Sequence, residues 1–222
     1  MDDLTFDCVG ARAEPYAAFP TLVFRVRVTH PSPAGVHAIA LRCQIRVEPH
    51  LRRYDAAEAE MLGDLFGDPA RWGDTLKPLQ FANVSVMVPA FTGTTEIDVP
   101  VPCGYDLEVA AGKYFAALDD GEIPMILLFG GTVFARTPGS TGSTGSSGGT
   151  GGFSVGQVPW HCEARHRLPV AVWRELMDRY FPDSGWLRLR RDTLRDLTRF
   201  KSDHALATWD ETMHLLLRET RG

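Results

Sequence analysis

The sequence predicts an α+β fold, with an antiparallel β-sandwich-like body, a helical insertion and a C-terminal helical annex. Three observations favour it. Apolar and polar residues alternate through much of the first half of the chain, most regularly over residues 36–48. The longest apolar run, residues 124–135, is uncharged but too short for a membrane-spanning helix, which needs about 20 residues. From residue 169 onwards, apolar residues recur at helical spacing instead. We therefore assign residues 1–168 to the β-rich body and residues 169–222 to an annex packed on it.

Alternation defines the early strands, which we expect at residues 4–9, 21–29 and 36–48. A strict period of two with one polar face is typical of half-buried antiparallel strands. The residues that this pattern turns toward the core are Leu22, Phe24, Val26 and Val28 in the second strand, and Ile39, Leu41, Cys43, Ile45 and Val47 in the third. Only the proline-rich turn at 31–35 joins these two strands, so we expect them to pair as a meander.

A helical insertion is predicted at about residues 55–66. Asp55 and Glu58 have the spacing at which each side chain can accept from the other's backbone amide at a helix N-terminus. Apolar residues then follow at helical spacing, up to Phe66. Trp72, in the loop after the helix, is expected to cover the edge of the core.

Further strands are predicted at residues 81–88, 94–101 and 124–135. Prolines at the end of the 94–101 segment favour an edge position, because proline cannot donate to a ladder of hydrogen bonds. Residues 107–118 are interpreted as a helix, or as a strand running into one. The apolar run 124–135 is interpreted as the central strand, covered on both faces. Its Gly130–Gly131 pair indicates a bulge or the close approach of another backbone.

The segment 139–152 consists of glycine, serine and threonine, a composition typical of a flexible coil. It is interpreted as a long hairpin loop, with an interdomain linker as the alternative. The hairpin is favoured because residues 153–160 and 163–168 are suitable partners for the central strand. Long flexible loops also reduce stability only slightly, since closure entropy grows slowly with length.

The annex is predicted to contain three helices. Pro169 and Pro182 bracket the first helix. Residues 191–202 form the second, with Leu194, Leu197 and Phe200 turned inward. A capping signature that begins at Thr208 marks the start of the third.

Composition narrows the class of protein. A net charge of −5 and a pI near 5.8 argue against a general nucleic-acid binder, which is usually basic. The N-terminal residues lack the basic and apolar regions of a secretory signal, and no apolar run reaches membrane-spanning length. We therefore expect a cytoplasmic protein that binds neither nucleic acid nor membrane. The four cysteines form no CxxC pair and are expected to be free thiols in a reducing compartment.

A metal site is one interpretation of Cys103, His161 and Cys162, with His166 or Asp106 as further ligands. Thiolate and imidazole suit zinc and nickel. However, His161 and Cys162 are adjacent and would face opposite sides of a strand, so the alternative is a buried cysteine beside a surface histidine. No bound cofactor is predicted.

Catalysis is not favoured. No G-x-S-x-G elbow, HExxH, P-loop or GxGxxG motif is present. The groups that could in principle act as acids or bases are Asp106, Glu108, Asp119, Asp120, His161 and Glu163. Such carboxylates are most often turn residues on solvated faces, so a hydrolase with an unrecognised site is kept only as an alternative.

A protein-binding role is the preferred hypothesis, because aromatic residues and arginine usually dominate interface energetics. The candidate contacts are Trp72, Trp160, Trp186 and Trp209, together with Arg191, Arg195 and Arg199. The three arginines recur every four residues and so share one helix face. A solvated face with internal pairs to Asp192 and Asp196 is the alternative.

Several segments taken together resemble an uncharacterised actinobacterial family of small cytosolic proteins. They are residues 20–24, 43–49, 66–72, 101–106, 113–115, 127–134, 172–178 and 208–210. Members of that family are often encoded beside NiFe-hydrogenase structural and maturation genes. The resemblance therefore implies an accessory role in assembly or maturation of a hydrogenase-type metalloenzyme, with a nickel or zinc carrier as the alternative. The chain departs from the family pattern in its expanded Gly/Ser tract and at His161–Cys162, where an acidic residue is expected after the tryptophan, which weakens Cys162 as a ligand.

Overall fold

The computed structural model describes residues 4–31, 35–104, 109–136, 153–182 and 189–219. Two antiparallel sheets form the body, which confirms the predicted fold class. The strands are β1 (Thr5–Ala13), β2 (Thr21–His30), β3 (Val36–Val47), β4 (Leu79–Val88), β5 (Gly93–Pro102), β6 (Glu122–Arg136), β7 (Phe153–Gln157) and β8 (Glu163–Pro169). The helices are α1 (Ala56–Phe66), α2 (Trp72–Thr75), α3 (Val109–Ala116), α4 (Val170–Tyr180), α5 (Arg191–Asp203) and α6 (Trp209–Glu219).

The strands pair in two sheets, and β2 and β3 lie in different sheets rather than side by side. One sheet has the order β1-β2-β5; the other has the order β4-β3-β6, with β7 and β8 both paired to the free edge of β6. The predicted β2–β3 meander is therefore wrong, because β2 pairs with β1 and β5 while β3 pairs with β4 and β6. A strand can bury its apolar face against a strand in the opposite sheet, and alternation alone does not distinguish this arrangement from a hairpin.

The core lies between the two sheets. The predicted inward faces of β2 and β3 are confirmed, since each of their apolar residues is buried. Phe6 of the three-stranded sheet stacks on Phe129 of the five-stranded sheet with ring centroids 4.3 Å apart. Each apolar side chain buried in this layer contributes roughly 1.5–3 kcal/mol relative to exposure. The proline-bearing strand β5 lies at a sheet edge, as predicted.

β6 changes partner at its glycine pair. Residues 122–128 pair with β8, whereas residues 132–136 pair with β7. Gly131 has φ 141°, and a Cβ built on it would lie 2.1 Å from the carbonyl oxygen of Ala40, which confirms the predicted close approach of another backbone. The β6–β7 pairing also confirms that the Gly/Ser tract joins two strands of a hairpin; the tract itself lies outside the described residues.

The predicted cover on both faces of β6 is wrong for the outer face. The inward residues Leu127 and Phe129 are buried, but the outward residues Ile126 and Leu128 remain partly exposed. These outward positions form the middle of an open sheet surface, and a continuous apolar run therefore did not signify burial on both sides.

The first compact unit, which spans Met1–Pro182, also contains helices α1, α2, α3 and α4. The ring of Phe115 contacts Trp173 of α4 and Phe81 of β4, with centroid distances of 4.7 and 5.2 Å. α4 packs against β1, β2 and β8. The sequence groups α4 with the annex, but its buried residues Trp173 and Leu176 belong to the core of the body.

The second unit, Asp183–Gly222, contains α5 and α6. No described residue of α5 is buried. Of the three residues predicted to face inward, Leu194 is 45% exposed, so the prediction is wrong for it, whereas Leu197 and Phe200 are partly buried. Phe200 stacks on His204 within the same unit. The predicted capping box at α6 is confirmed, since Thr208 Oγ1 accepts from the Glu211 amide at 3.1 Å and Glu211 Oε2 accepts from the Thr208 amide at 3.2 Å. None of the described helices combines the length and apolar character needed to span a membrane.

Candidate interaction surfaces

Trp160 lies at the tip of a short loop, residues 158–162, between β7 and β8. Backbone hydrogen bonds fix both ends of this loop to β6: the Val158 amide donates to Gly131 at 2.9 Å, and the Phe129 amide donates to Cys162 at 3.0 Å. Val158 and Cys162 are buried, whereas Trp160 is 93% exposed. The loop therefore presents a large aromatic side chain to solvent on a well-anchored backbone.

The other candidate tryptophans differ from Trp160. Trp72 is partly buried, donates its indole N–H to the Gly67 carbonyl at 3.0 Å and contacts the rings of Tyr54 and Phe66 edge-on. It packs on the edge of the core, as predicted. Trp209 belongs to the second unit, is 43% exposed and has the Lys201 ammonium 5.9 Å from its ring centroid. Trp186 lies outside the described residues.

The arginine stripe on α5 is solvent-exposed. Arg191, Arg195 and Arg199 are all exposed, and their side chains form no ion pair within the described part of the chain. The internal pair that the structure contains on this segment joins Arg190 to Asp192 at 3.4 Å. The predicted stripe therefore exists as a surface feature of the second unit.

The candidate metal ligands do not form one site. Cys103 follows β5, and its amide donates to Pro20, beside the first residue of β2. The thiol of Cys162 donates to the carbonyl of Leu4. Leu4 comes directly before Thr5, which pairs with Thr29 near the other end of β2. The two positions, level with Pro20 and His30, are ten residues apart along β2, or about 33 Å at about 3.3 Å per residue. Within the described residues, no three His, Cys, Asp or Glu side chains are placed to hold a metal ion, and Asp106 lies outside them.

Burial also disfavours metal binding by the thiols. It raises the pKa of Cys103 and of Cys43 to about 12 and that of Cys8 to about 11, and it raises the pKa of Cys162. Thiolate, rather than thiol, is the metal ligand and nucleophile. At neutral pH these cysteines are therefore protonated and behave as small apolar side chains.

The candidate acid–base groups are dispersed at the surface. Asp119 and Asp120 are exposed, and Asp119 pairs with Arg174 at 2.8 Å. Glu163 lies 3.7 Å from Arg165, and His161 is exposed beside Trp160. Asp106 and Glu108 lie outside the described residues. Two depressions on the outer face of the five-stranded sheet contain none of these candidates in their lining.

Sequence reasoning missed a buried polar network that joins the β3–α1 connection to α1 and α3. Glu58 accepts from the Arg52 guanidinium and, at 3.2 Å, from the Asp119 amide. Tyr54 donates to the Pro49 carbonyl at 2.7 Å, so the Tyr114 hydroxyl donates to Tyr54. Burial raises the pKa of Tyr54 to about 12. Both tyrosine hydroxyls and the Glu58 carboxylate are engaged in hydrogen bonds, whereas the Nε of Arg52 is buried without a partner among the described residues. We therefore interpret the network as structural.

Sequence reasoning also missed the contrast between the two outer sheet faces. On the three-stranded sheet, arginines and carboxylates alternate in a ladder: Arg25 reaches Asp98 at 2.6 Å, Arg27 reaches Glu96 at 2.8 Å and Arg12 reaches Asp98 at 3.1 Å. The hydrogen bond from Arg25 is the main reason that the pKa of Asp98 is lowered. On the five-stranded sheet, Arg42 and Arg46 have no such carboxylate partners among the described residues. The alternation of arginine with apolar residues in β3 and β8 was the sequence signal that could have indicated this arginine-rich face.

A family of unknown function (DUF6084) matches residues 1–222, and the chain therefore belongs to that family. No curated protein and no solved structure shows significant similarity to the chain.

Proposed function

We propose that this protein is a non-catalytic accessory protein that acts by binding another protein. The observation that carries the proposal is the exposure of Trp160 on a loop whose two ends are hydrogen-bonded to the central strand. Tryptophan is among the residue types most enriched at the energetic centres of interfaces. A loop whose backbone is already anchored at both ends also loses less conformational freedom on binding.

The partner class comes from the family resemblance. An uncharacterised family encoded beside NiFe-hydrogenase genes suggests a hydrogenase subunit or maturation factor as the partner. Assistance in assembly or maturation of such a metalloenzyme fits a protein with a two-sheet β body, protonated thiols and an exposed tryptophan. The same features support binding over a metal-carrier role, since a carrier needs clustered thiolates.

The test is direct binding of purified NiFe-hydrogenase subunits and maturation factors to the immobilised protein. Trp160→Ala is expected to weaken binding by about 30-fold, because removal of an interface hot spot costs about 2 kcal/mol or more. Tyr16→Ala is the matched control, because Tyr16 is also 93% exposed but lies in the β1–β2 connection. Thermal melting of both variants checks that folding is unchanged.

Two outcomes would contradict the proposal. The first is that none of these proteins binds, or that Trp160→Ala binds as well as the unchanged chain. The second is stoichiometric nickel or zinc in the purified protein that is lost in Cys103→Ala, which would instead support the metal carrier.

A further inference from the structure

The outer face of the five-stranded sheet carries two neighbouring depressions, of about 420 and 440 Å³. The first is lined by Glu48, His50, Ile126, Arg165 and Arg167, among others, and the second by Arg42, Gln44, Asn83, Leu128 and Gly130, among others. Ile126 and Leu128 are successive outward residues of β6, so the depressions occupy adjoining rows of one face. We call this surface, from Arg42 to Glu48 along β3 and across β6 to β8, the basic trough; it is about 20 Å long at about 3.3 Å per residue.

Arginines line both sides of the trough. The strand register places Arg46 and Arg165 on either side of Ile126, two strand spacings or about 10 Å apart. Arg42 lies opposite Gly130, and Arg167 lies opposite Pro124. Between the arginines, the floor consists of the partly exposed aliphatic side chains of Ile126 and Leu128.

These arginines lack close carboxylate partners. Arg165 and Arg167 approach Glu163 and Glu122 only at 3.7 and 3.9 Å, and their side chains are 72% and 60% exposed. The side chains of Arg42 and Arg46 make no hydrogen bond or ion pair within the described ranges, and the Nε of Arg46 is buried without a partner. On the opposite sheet, the described arginines Arg12, Arg25 and Arg27 each lie within 3.1 Å of a carboxylate. The two faces therefore differ in how closely their arginines are paired, and the four arginines of the trough outnumber its glutamates, Glu48, Glu122 and Glu163, by one.

We propose that the basic trough binds an acidic, extended segment of a partner protein, with carboxylates on the arginines and an apolar residue over Ile126 and Leu128. Charge complementarity selects an anionic occupant, and the aliphatic floor selects one that also has apolar side chains. A nucleic acid fits less well, because the floor, among the residues that the structure describes, consists of aliphatic side chains and offers no aromatic stacking surface. The inference rests on the proposed function because it takes the partner to be a protein. It concerns a different surface, which does not include Trp160.

The experiment measures fluorescence anisotropy of a labelled peptide of about ten residues, roughly 33 Å when extended. Glutamate and leucine take turns at every second position of the peptide, with threonine between them, so that the carboxylates and the apolar side chains project from the same face. The full chain is expected to bind it, with affinity falling as salt is raised because the contacts are exposed charges. The double variant Arg165→Gln/Arg167→Gln is expected to bind about tenfold more weakly, since it removes two charge-assisted contacts. Arg25→Gln/Arg27→Gln is the matched control, with the same change in charge on the opposite sheet, and is expected to bind like the unchanged chain. Thermal melting confirms that both variants are folded.

Equal weakening in the two double variants would overturn the inference, because it would reduce the effect to net charge. Absence of peptide binding at low salt would also overturn it. So would a single-stranded oligonucleotide of equal charge that binds more tightly than the peptide and is weakened by the same Arg165→Gln/Arg167→Gln change. Trp160→Ala separates this result from the proposed function. If Trp160→Ala loses binding to the hydrogenase proteins while the trough variants bind the peptide like the unchanged chain, the proposed function stands and the trough inference is wrong.

Discussion

Gly131 combines a backbone angle that L side chains rarely adopt with contact against another strand. Its φ is 141°, and an added Cβ would meet the Ala40 carbonyl oxygen at 2.1 Å. Gly131→Ala is therefore expected to lower the free energy of unfolding by about 3 kcal/mol or more. Gly130→Ala is the control, because nothing lies within 4 Å of its Cβ position and its φ is not in the positive range. Denaturant titration measures both; similar losses in the two variants would contradict the geometric argument.

Glu58 is the second residue with a large predicted effect. Its side chain is 4% exposed and that of its partner Arg52 is 9% exposed. Glu58→Gln removes one charge of a buried pair and leaves the guanidinium uncompensated, which is expected to destabilise the fold by about 3–5 kcal/mol. Glu175→Gln removes a comparable pair with Arg179 on the surface of α4 and is expected to change stability by at most about 1 kcal/mol. Equal effects in denaturant titration would show that burial of the Arg52–Glu58 pair is unimportant.

His166 links stability to pH. It faces the core beside Phe24, its Nε2 is buried without a partner among the described residues, and burial lowers its pKa below 6.5 despite the opposing charge of Glu122. His166 is therefore protonated at a higher pH in the unfolded chain than in the folded chain. The stability that neutral His166 contributes is fully present above pH 6.5 and is lost as the pH falls through the lowered pKa. His166→Gln is expected to flatten the fall in stability between about pH 7 and 5. His161→Gln, at an exposed position, is the control; an unchanged slope in His166→Gln would refute the assignment.

At the residue scale, sequence predicted what depends on the local backbone. The Gly130–Gly131 pair indicated a bulge or the close approach of another backbone, and the structure has the close approach at Gly131. Asp55 was likewise identified as the cap of α1, and its carboxylate accepts from the Glu58 amide at 2.8 Å. The predicted reciprocal bond was wrong, because the Glu58 carboxylate instead binds Arg52 and the Asp119 amide. Asp119 is distant in sequence, and local spacing carries no information about it.

At the scale of elements, the hairpin that joins β6 to β7 gives the clearest prediction. Arg136 pairs directly with Phe153, so the two strands could be joined by a two-residue turn. Replacing residues 137–152 with Asn-Gly shortens the loop by about three doublings of length, and each doubling accounts for about 0.6 kcal/mol of closure entropy. Stability is therefore expected to rise by up to about 2 kcal/mol. The measurement is denaturant titration of the shortened and full-length chains. A loss of several kcal/mol in the shortened chain would show that the tract contributes contacts to the fold.

Element types were predicted better than element partners. The alternation of β2 and β3 identified their buried faces because side-chain direction has a period of two in any strand. The same pattern arises whether the two strands lie side by side or face each other across a core, so it could not reveal that the turn at 31–35 crosses between sheets. The apolar helical spacing of α4 and α5 was equally ambiguous. α4 buries Trp173 in the body, whereas α5 buries none of its described residues.

At the scale of the whole molecule, the candidate site was predictable only as a list of residue types. Exposed tryptophans and arginines were recognised, but the sequence could not indicate that Cys103 and Cys162 lie at opposite ends of the sandwich. It also could not distinguish the neutralised arginines of β2 from the unpaired arginines of β3, because each set alternates with apolar residues in the same way. The distinction depends on which strand lies alongside: β5 supplies Glu96 and Asp98, whereas the neighbours of β3 supply Ser85 and Gly130 opposite Arg42.

The two compact units differ in how much core each contains, and this leads to the last prediction. The described core residues of the sandwich, α3 and α4 all precede Pro182. In the second unit, α5 of 13 residues has no buried residue and α6 of 11 residues buries only Thr212 among those described. Isolated helices of this length are marginal in water, because nucleation is unfavourable and few residues follow it. A protein ending at residue 182 is therefore expected to unfold in one cooperative thermal transition, while a peptide of residues 183–222 is expected to show little helical circular dichroism. A non-cooperative transition in the first, or strong helicity in the second, would show that the packing needed for folding is distributed differently from the buried residues.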